Sequence, residues 1–149
     1  GCDVVIDRRT QDVIAVVKEA TGGRGADVIY DPVGGEADTP STKVVAFEGR
    51  IVVVGFASGS IPSPALNHAL VKNYAILGLH WGLYGTKSPK LIQHCHEQLT
   101  ELAARGAIKP LVSERVPLGG GAAAVQRVGD GVTTGRVVVV PSLENGAAA

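Results

Sequence analysis

The sequence predicts an α/β fold, a partial doubly wound parallel sheet with a C-terminal tail. Three features point there. Short β-branched runs recur at Val4–Ile6, Val28–Tyr30, Ile51–Val54, Ala75–Leu79 and Val137–Val140. Such near-continuous apolarity in four or five residues marks strands buried on both faces, as in parallel sheets. Amphipathic helical stretches lie between the runs, and glycine clusters follow several of them.

The elements follow in order. After the strand at Val4–Ile6, Thr10 is expected to cap a helix with the apolar stripe Val13, Ile14, Val17 and Ala20, ended by Gly22 and Gly23. The next strand is Val28–Tyr30. Thr39 and Pro40 then read as cap and first helical position of a short helix closed by Gly49. The strand Ile51–Val54 completes a βαβαβ unit over residues 4–54, one half of a doubly wound nucleotide-binding fold. Beyond the strand Ala75–Leu79, Ser88 and Pro89 start a helix. Its stripe is Leu91, Ile92, Cys95, Leu99, Leu102 and Ala103, and Gly106 stops it. Residues 1–106 therefore form the main unit. Residues 107–149, with Pro110, Pro117 and glycines 119–121, read as a separate tail ending in one strand and a loose terminus at Glu144–Ala149.

Composition excludes several function classes. The chain has 149 residues with 14 basic and 14 acidic side chains, and no basic stripe recommends a nucleic acid. No apolar stretch is long enough to span a membrane and no signal peptide is visible, so a cytoplasmic setting is the expectation. The two cysteines, Cys2 and Cys95, are far apart and form no C-x-x-C pair. His94, Cys95 and His96 are adjacent on one helix and point about a hundred degrees apart, so they do not converge on a metal. The chain contains no methionine, which leads to the expectation of a fragment or processed product.

In an open parallel sheet, ligands bind outside the carboxyl ends of the strands. Three expected strand ends share a composition: Asp7-Arg8-Arg9, Asp31-Pro32-Val33-Gly34-Gly35 and Gly55-Phe56-Ala57-Ser58-Gly59. Glycine lets backbone approach a flat ring or a phosphate, and three such ends in succession favour a cofactor edge over ordinary turns. Arg8 and Arg9 suit a ribose 2′-phosphate, although a solvated surface pair fits the same spacing. His80 and Trp81, after the fourth strand, suit either a pocket wall or an interface. No nucleophile stands beside a base, so no hydrolytic triad is expected.

The segments "GCDVVIDRRT", "ATGGRGADVIYDPVGG", "EGRIVVVGFASG", "LHWGLY" and "TTGRVVVVP" together resemble zinc-independent medium-chain dehydrogenases/reductases. The nearest branch is NADPH:quinone oxidoreductase-like, matched over its C-terminal portion from Gly1 to about Pro141. The resemblance implies the second part of a Rossmann-type domain. It implies an enzyme that passes hydride from NADPH to a quinone or an α,β-unsaturated carbonyl. It also implies cofactor-binding roles for Arg8, Val33, Gly34, Gly55, Phe56, Ala57, His80, Trp81, Gly135 and Arg136. Arg8 stands where relatives carry an aromatic, often tyrosine. No catalytic residue and no metal ligand is assigned. Relatives pair the strand around Tyr74–Leu79 with a two-fold mate, which implies a homodimer and answers the hazard of an open apolar edge.

The catalytic domain and the glycine-rich turn that holds the pyrophosphate have no counterpart in the sequence, and the tail after Gly106 returns to that domain in relatives. The chain is therefore expected to be weak or inactive alone. An enoyl-thioester reductase of the same superfamily and a non-catalytic dimerisation or interaction module stand as alternatives.

Overall fold

The computed structural model describes residues 1–35 and 38–143, and the expected loose terminus at Glu144–Ala149 lies outside the described residues. The chain divides into two compact units, Gly1–Pro89 and Lys90–Ala149.

The first unit holds α1 (Val13–Ala20), β1 (Ala26–Asp31), α2 (Asp38–Val44), β2 (Val45–Val53), α3 (Leu66–Lys72), β3 (Ala75–Gly78) and α4 (Trp81–Lys87). Its three strands form one parallel sheet in the order β1-β2-β3. The α/β class with parallel strands is thus as expected. The βαβαβ unit, however, runs from Ala26 to Gly78 rather than over residues 4–54.

The difference starts at Val4–Ile6, which is not a strand. A β-branched run becomes a strand only where a neighbour completes its ladder, and none of the described strands pairs with this one. Val5 stays 79% exposed. The chain instead tightens after Asp7, whose carbonyl accepts the N–H groups of Thr10 and Gln11 at 3.1 and 2.9 Å.

Helix α1 is capped by Asp12, not Thr10. The Asp12 carboxylate accepts the N–H groups of Ile14 and Ala15 at 2.8 and 3.3 Å, satisfying two of the orphan donors of the first turn. Thr10 lies too far upstream, and its hydroxyl faces the Asp7 carbonyl. At the other end Gly23 donates to the Lys18 carbonyl at 2.7 Å, as a glycine-closed helix requires.

Helix α2 begins at Asp38, so Thr39 lies within the helix and its side chain is outside the described part. The helix ends at Val44 and passes straight into β2, which places Gly49 inside the strand rather than at the helix end. The register shows why there is room for it. Ala26 faces Val45, and two residues later Val28 faces Arg50, so β2 carries extra residues across this step. Glu48 takes a left-handed φ of 56° within the bulge. From α3, the Lys72 ammonium donates to the Thr42 and Lys43 carbonyls at 2.9 and 3.1 Å, closing the C-terminus of α2. Burial, and secondarily the charge of Lys18, pushes the Lys72 pKa down from its ordinary value. Val45, Ile51 and Tyr74 form the buried centre, with Ile29 and Ala69 packed against them.

The helix expected to start at Ser88 and Pro89 is α5 (Pro89–Ala104), and Gly106 stops it at φ 68°; from Lys90 onward it falls in the second unit. The rest of the unit holds more structure than a tail with one strand. A second parallel pair, β4 (Val112–Val116) and β5 (Arg136–Val139), is joined by a short 3₁₀ turn and α6 (Gly121–Gly129). The Arg127 guanidinium on α6 donates to both Glu114 carboxylate oxygens on β4, at 2.6 and 2.7 Å.

Candidate functional site

The carboxyl ends of the three strands of the first unit lie level, because Asp31 faces Val53 and Val53 faces Gly78 in the ladder. The chain leaves β1 through a turn held by Asp31, whose Oδ1 accepts the N–H groups of Val33 and Gly34, both at 2.9 Å. The loop leaving β2 is bonded to this turn. Val54 N–H donates to the Asp31 carbonyl at 2.9 Å, Ala57 to Pro32 at 3.1 Å and Ser58 to Val33 at 3.0 Å. Next to it, Leu79 N–H donates to the Val53 carbonyl at 2.9 Å.

Gly34 is the tight point of this rim. Its φ is 64°, and a Cβ there would stand 2.7 Å from Cδ1 of Phe56 and 3.1 Å from the Ser60 carbonyl. The structure therefore brings together Val33, Gly34, Gly55, Phe56 and Ala57, five of the residues singled out in the sequence.

Two concave surfaces flank the rim. One, of about 760 Å³, is lined by Val53–Phe56 and Gly78–His80 and bounded by Leu83, Tyr84 and Lys87 of α4. His80 is part of this lining. Trp81 does not line it; its ring lies 5.6 Å from the Tyr84 ring, in a tilted arrangement. Leu83, Tyr84 and Lys87 went unread in the sequence. Their spacing from His80, at three, four and seven residues, would have put them on one helical face had a helix been expected there.

The other concavity, of about 720 Å³, is lined by Arg8 and Arg9 together with Tyr30–Val33 and with Pro40, Ser41 and Val44 of α2. Here the two arginines differ. Arg9 Nε lies 3.2 Å from the Asp7 carboxylate, an exposed pair of little energetic weight. The backbone N–H of Arg9, then its guanidinium, hold the Asp7 carboxyl below its ordinary value of 3.8. Arg8 makes no ion pair among the described residues.

Gly135 and Arg136 belong to the second unit, where Gly135 precedes β5 and Arg136 begins it. Arg136 N–H donates to the Leu111 carbonyl at 2.8 Å, and a Cβ on Gly135 would stand 2.7 Å from that same oxygen. His94, Cys95 and His96 all lie on α5, and among the described residues no group of three or more His, Cys, Asp or Glu is placed to hold a metal ion. Among the described residues no helix is long and apolar enough to cross a membrane.

Residues 1–139 match the family model described as zinc-binding dehydrogenase. The chain is 36% identical over 140 residues to the quinone oxidoreductase-like protein 2 homolog of Nematostella vectensis, covering 93% of this chain and 38% of that protein. It is 29% identical over 150 residues to a 2-haloacrylate reductase of Burkholderia sp, covering 95% of this chain and 43% of that one. Its fold is similar to the crystal structure of Escherichia coli quinone oxidoreductase complexed with NADPH, with a TM-score of 0.79, 26% identity and coverage of 91% of this chain and 42% of the other. The chain thus spans less than half the length of each of these relatives.

Proposed function

Because this chain belongs to the quinone oxidoreductase-like branch of the medium-chain dehydrogenase/reductase family, we propose that it forms the nicotinamide-facing part of an NADPH-dependent reductase. The electron acceptor is a quinone or an α,β-unsaturated carbonyl. The likeness to a 2-haloacrylate reductase, whose name denotes an electron-poor alkene, supports the second kind of acceptor.

One observation carries this reading. Three parallel strands end level, and the loops that leave the first two are bonded into one rim between two concavities. Ligand sites of open parallel sheets lie at such an edge. The residues present fit the cofactor. Each concavity falls in the range of about 300–1,000 Å³ usual for small-ligand sites. At Gly78 the space a side chain would fill is open, which leaves the wall flat enough for a ring.

In this reading Gly55, Phe56, Ala57 and His80 hold the nicotinamide end against the strand edge, with Trp81 beside them and Val33 and Gly34 under the ribose. Arg8, free of a carboxylate partner among the described residues, holds the 2′-phosphate. When bound, the cofactor supplies a hydride equivalent. The side chains of Leu83 and Tyr84 keep water from the reacting face, and the backbone edge fixes the ring's orientation. The reading includes no catalytic zinc, as the resemblance to the zinc-independent branch implies. The protein works as a cytoplasmic homodimer paired along β3.

Titrating the chain with NADPH and with NADH, followed by nicotinamide fluorescence, tests the reading. Saturable binding with a preference for NADPH is expected. The same titration is run on the chain joined behind the N-terminal part of a relative; binding of neither nucleotide by that fusion overturns the reading.

A further inference from the structure

From the geometry of the β1 turn we infer that Asp31 is a positioning residue for the loop Gly55–Ser58. This rests on the reading of that loop as a cofactor wall. Asp31 is only 6% exposed, the one buried charged residue among those described. A carboxylate so placed is costly unless its oxygens are hydrogen-bonded. Its Oδ1 takes two backbone N–H groups, those of Val33 and Gly34.

Those two N–H groups belong to consecutive peptide planes. The plane carrying Val33 N–H also carries the Pro32 carbonyl, and the plane carrying Gly34 N–H also carries the Val33 carbonyl. These are the carbonyls that accept Ala57 N–H and Ser58 N–H, at 3.1 and 3.0 Å. Each plane is therefore gripped at one end by Asp31 and at the other end holds the β2 loop. A rigid plane transmits orientation, and hydrogen bonds in series polarise one another. Asp31 thus sets where Phe56 and Ala57 stand without needing to touch a ligand itself. What it supplies is an acceptor at Oδ1; its negative charge is secondary. Asparagine can present the same acceptor, whereas alanine cannot.

The experiment compares Asp31→Asn and Asp31→Ala with the unaltered chain by amide hydrogen exchange and by NADPH titration. In Asp31→Ala the amides of Val33, Gly34, Ala57 and Ser58 exchange at least about tenfold faster, while Ile51 and Ile76 in the sheet keep their protection. NADPH binds about tenfold more weakly, equivalent to about 1.4 kcal/mol. In Asp31→Asn both quantities stay within about twofold of the unaltered chain. A purely structural role would raise exchange at Ile51 and Ile76 in step with the loop, and that result overturns the inference. So does unchanged exchange at Ala57 and Ser58 in Asp31→Ala, or an asparagine variant as impaired as the alanine one. Should the alanine variant not fold, Asp31→Ser, whose hydroxyl makes the same turn more weakly, must show intermediate exchange; wild-type exchange overturns the inference. If the unaltered chain fails to bind NADPH both alone and joined behind the N-terminal part of a relative, the cofactor reading falls, while the exchange arm still decides the role of Asp31.

Discussion

At the scale of single residues, one position tests the cofactor reading and a second tests the rim on which it stands. Arg8 is the lining cation of the second concavity without a carboxylate partner among the described residues. Arg8→Ala is expected to weaken NADPH by about fivefold, in keeping with an exposed charge pair, and to change NADH by less than about twofold. Parallel titrations with the two nucleotides give the answer; equal losses would remove the 2′-phosphate role. Gly34 tests the rim itself. A methyl group there must displace Phe56 and adopt a φ of 64°, so Gly34→Ala should lower stability by about 1–2 kcal/mol, read from urea midpoints at constant m-value.

Among the elements, α1 offers a clean measurement of local energetics. Its eight residues depend on one cap, Asp12. Asp12→Ala should cost about 1 kcal/mol in urea denaturation, and Thr10→Ala almost nothing, because the Thr10 hydroxyl does not cap the helix. Both residues are of capping type, which is why sequence alone settled on the wrong one. The strands were legible where apolar runs were continuous, as in β1, β2, β3 and β5. Strand β4, Val-Ser-Glu-Arg-Val, carries two charges and escaped that criterion. Helix α4 was hidden by Gly82 and Gly85, poor helix formers, and with it the lining residues Leu83, Tyr84 and Lys87. Val4–Ile6 misled in the opposite direction, since composition reports strand propensity and not the presence of a partner. The candidate rim was readable because glycine and proline at strand ends announce their own geometry. The role of Asp31 was not, since only coordinates show which N–H groups a carboxylate gathers.

For the whole molecule, the leading issue is exposed apolar surface. Strand β3 closes the sheet of the first unit with all four residues exposed, Leu77 at 46%. On α3, Leu66, Leu70 and Val71 are 77–78% exposed. Surface of this kind marks places where another chain packs. If β3 is the homodimer seam, sedimentation at micromolar concentration should show a dimer, and Leu77→Lys should shift it to monomer with the fold retained by circular dichroism. A monomer in the unaltered chain would refute the seam. The level strand ends carry a different consequence for anyone recombining this segment with a relative. Residues 31–35 and 54–58 form one hydrogen-bonded object although they are read as two stretches of sequence. A chimera that transplants one stretch alone inherits half a buckle, whereas moving both together carries the fastening intact.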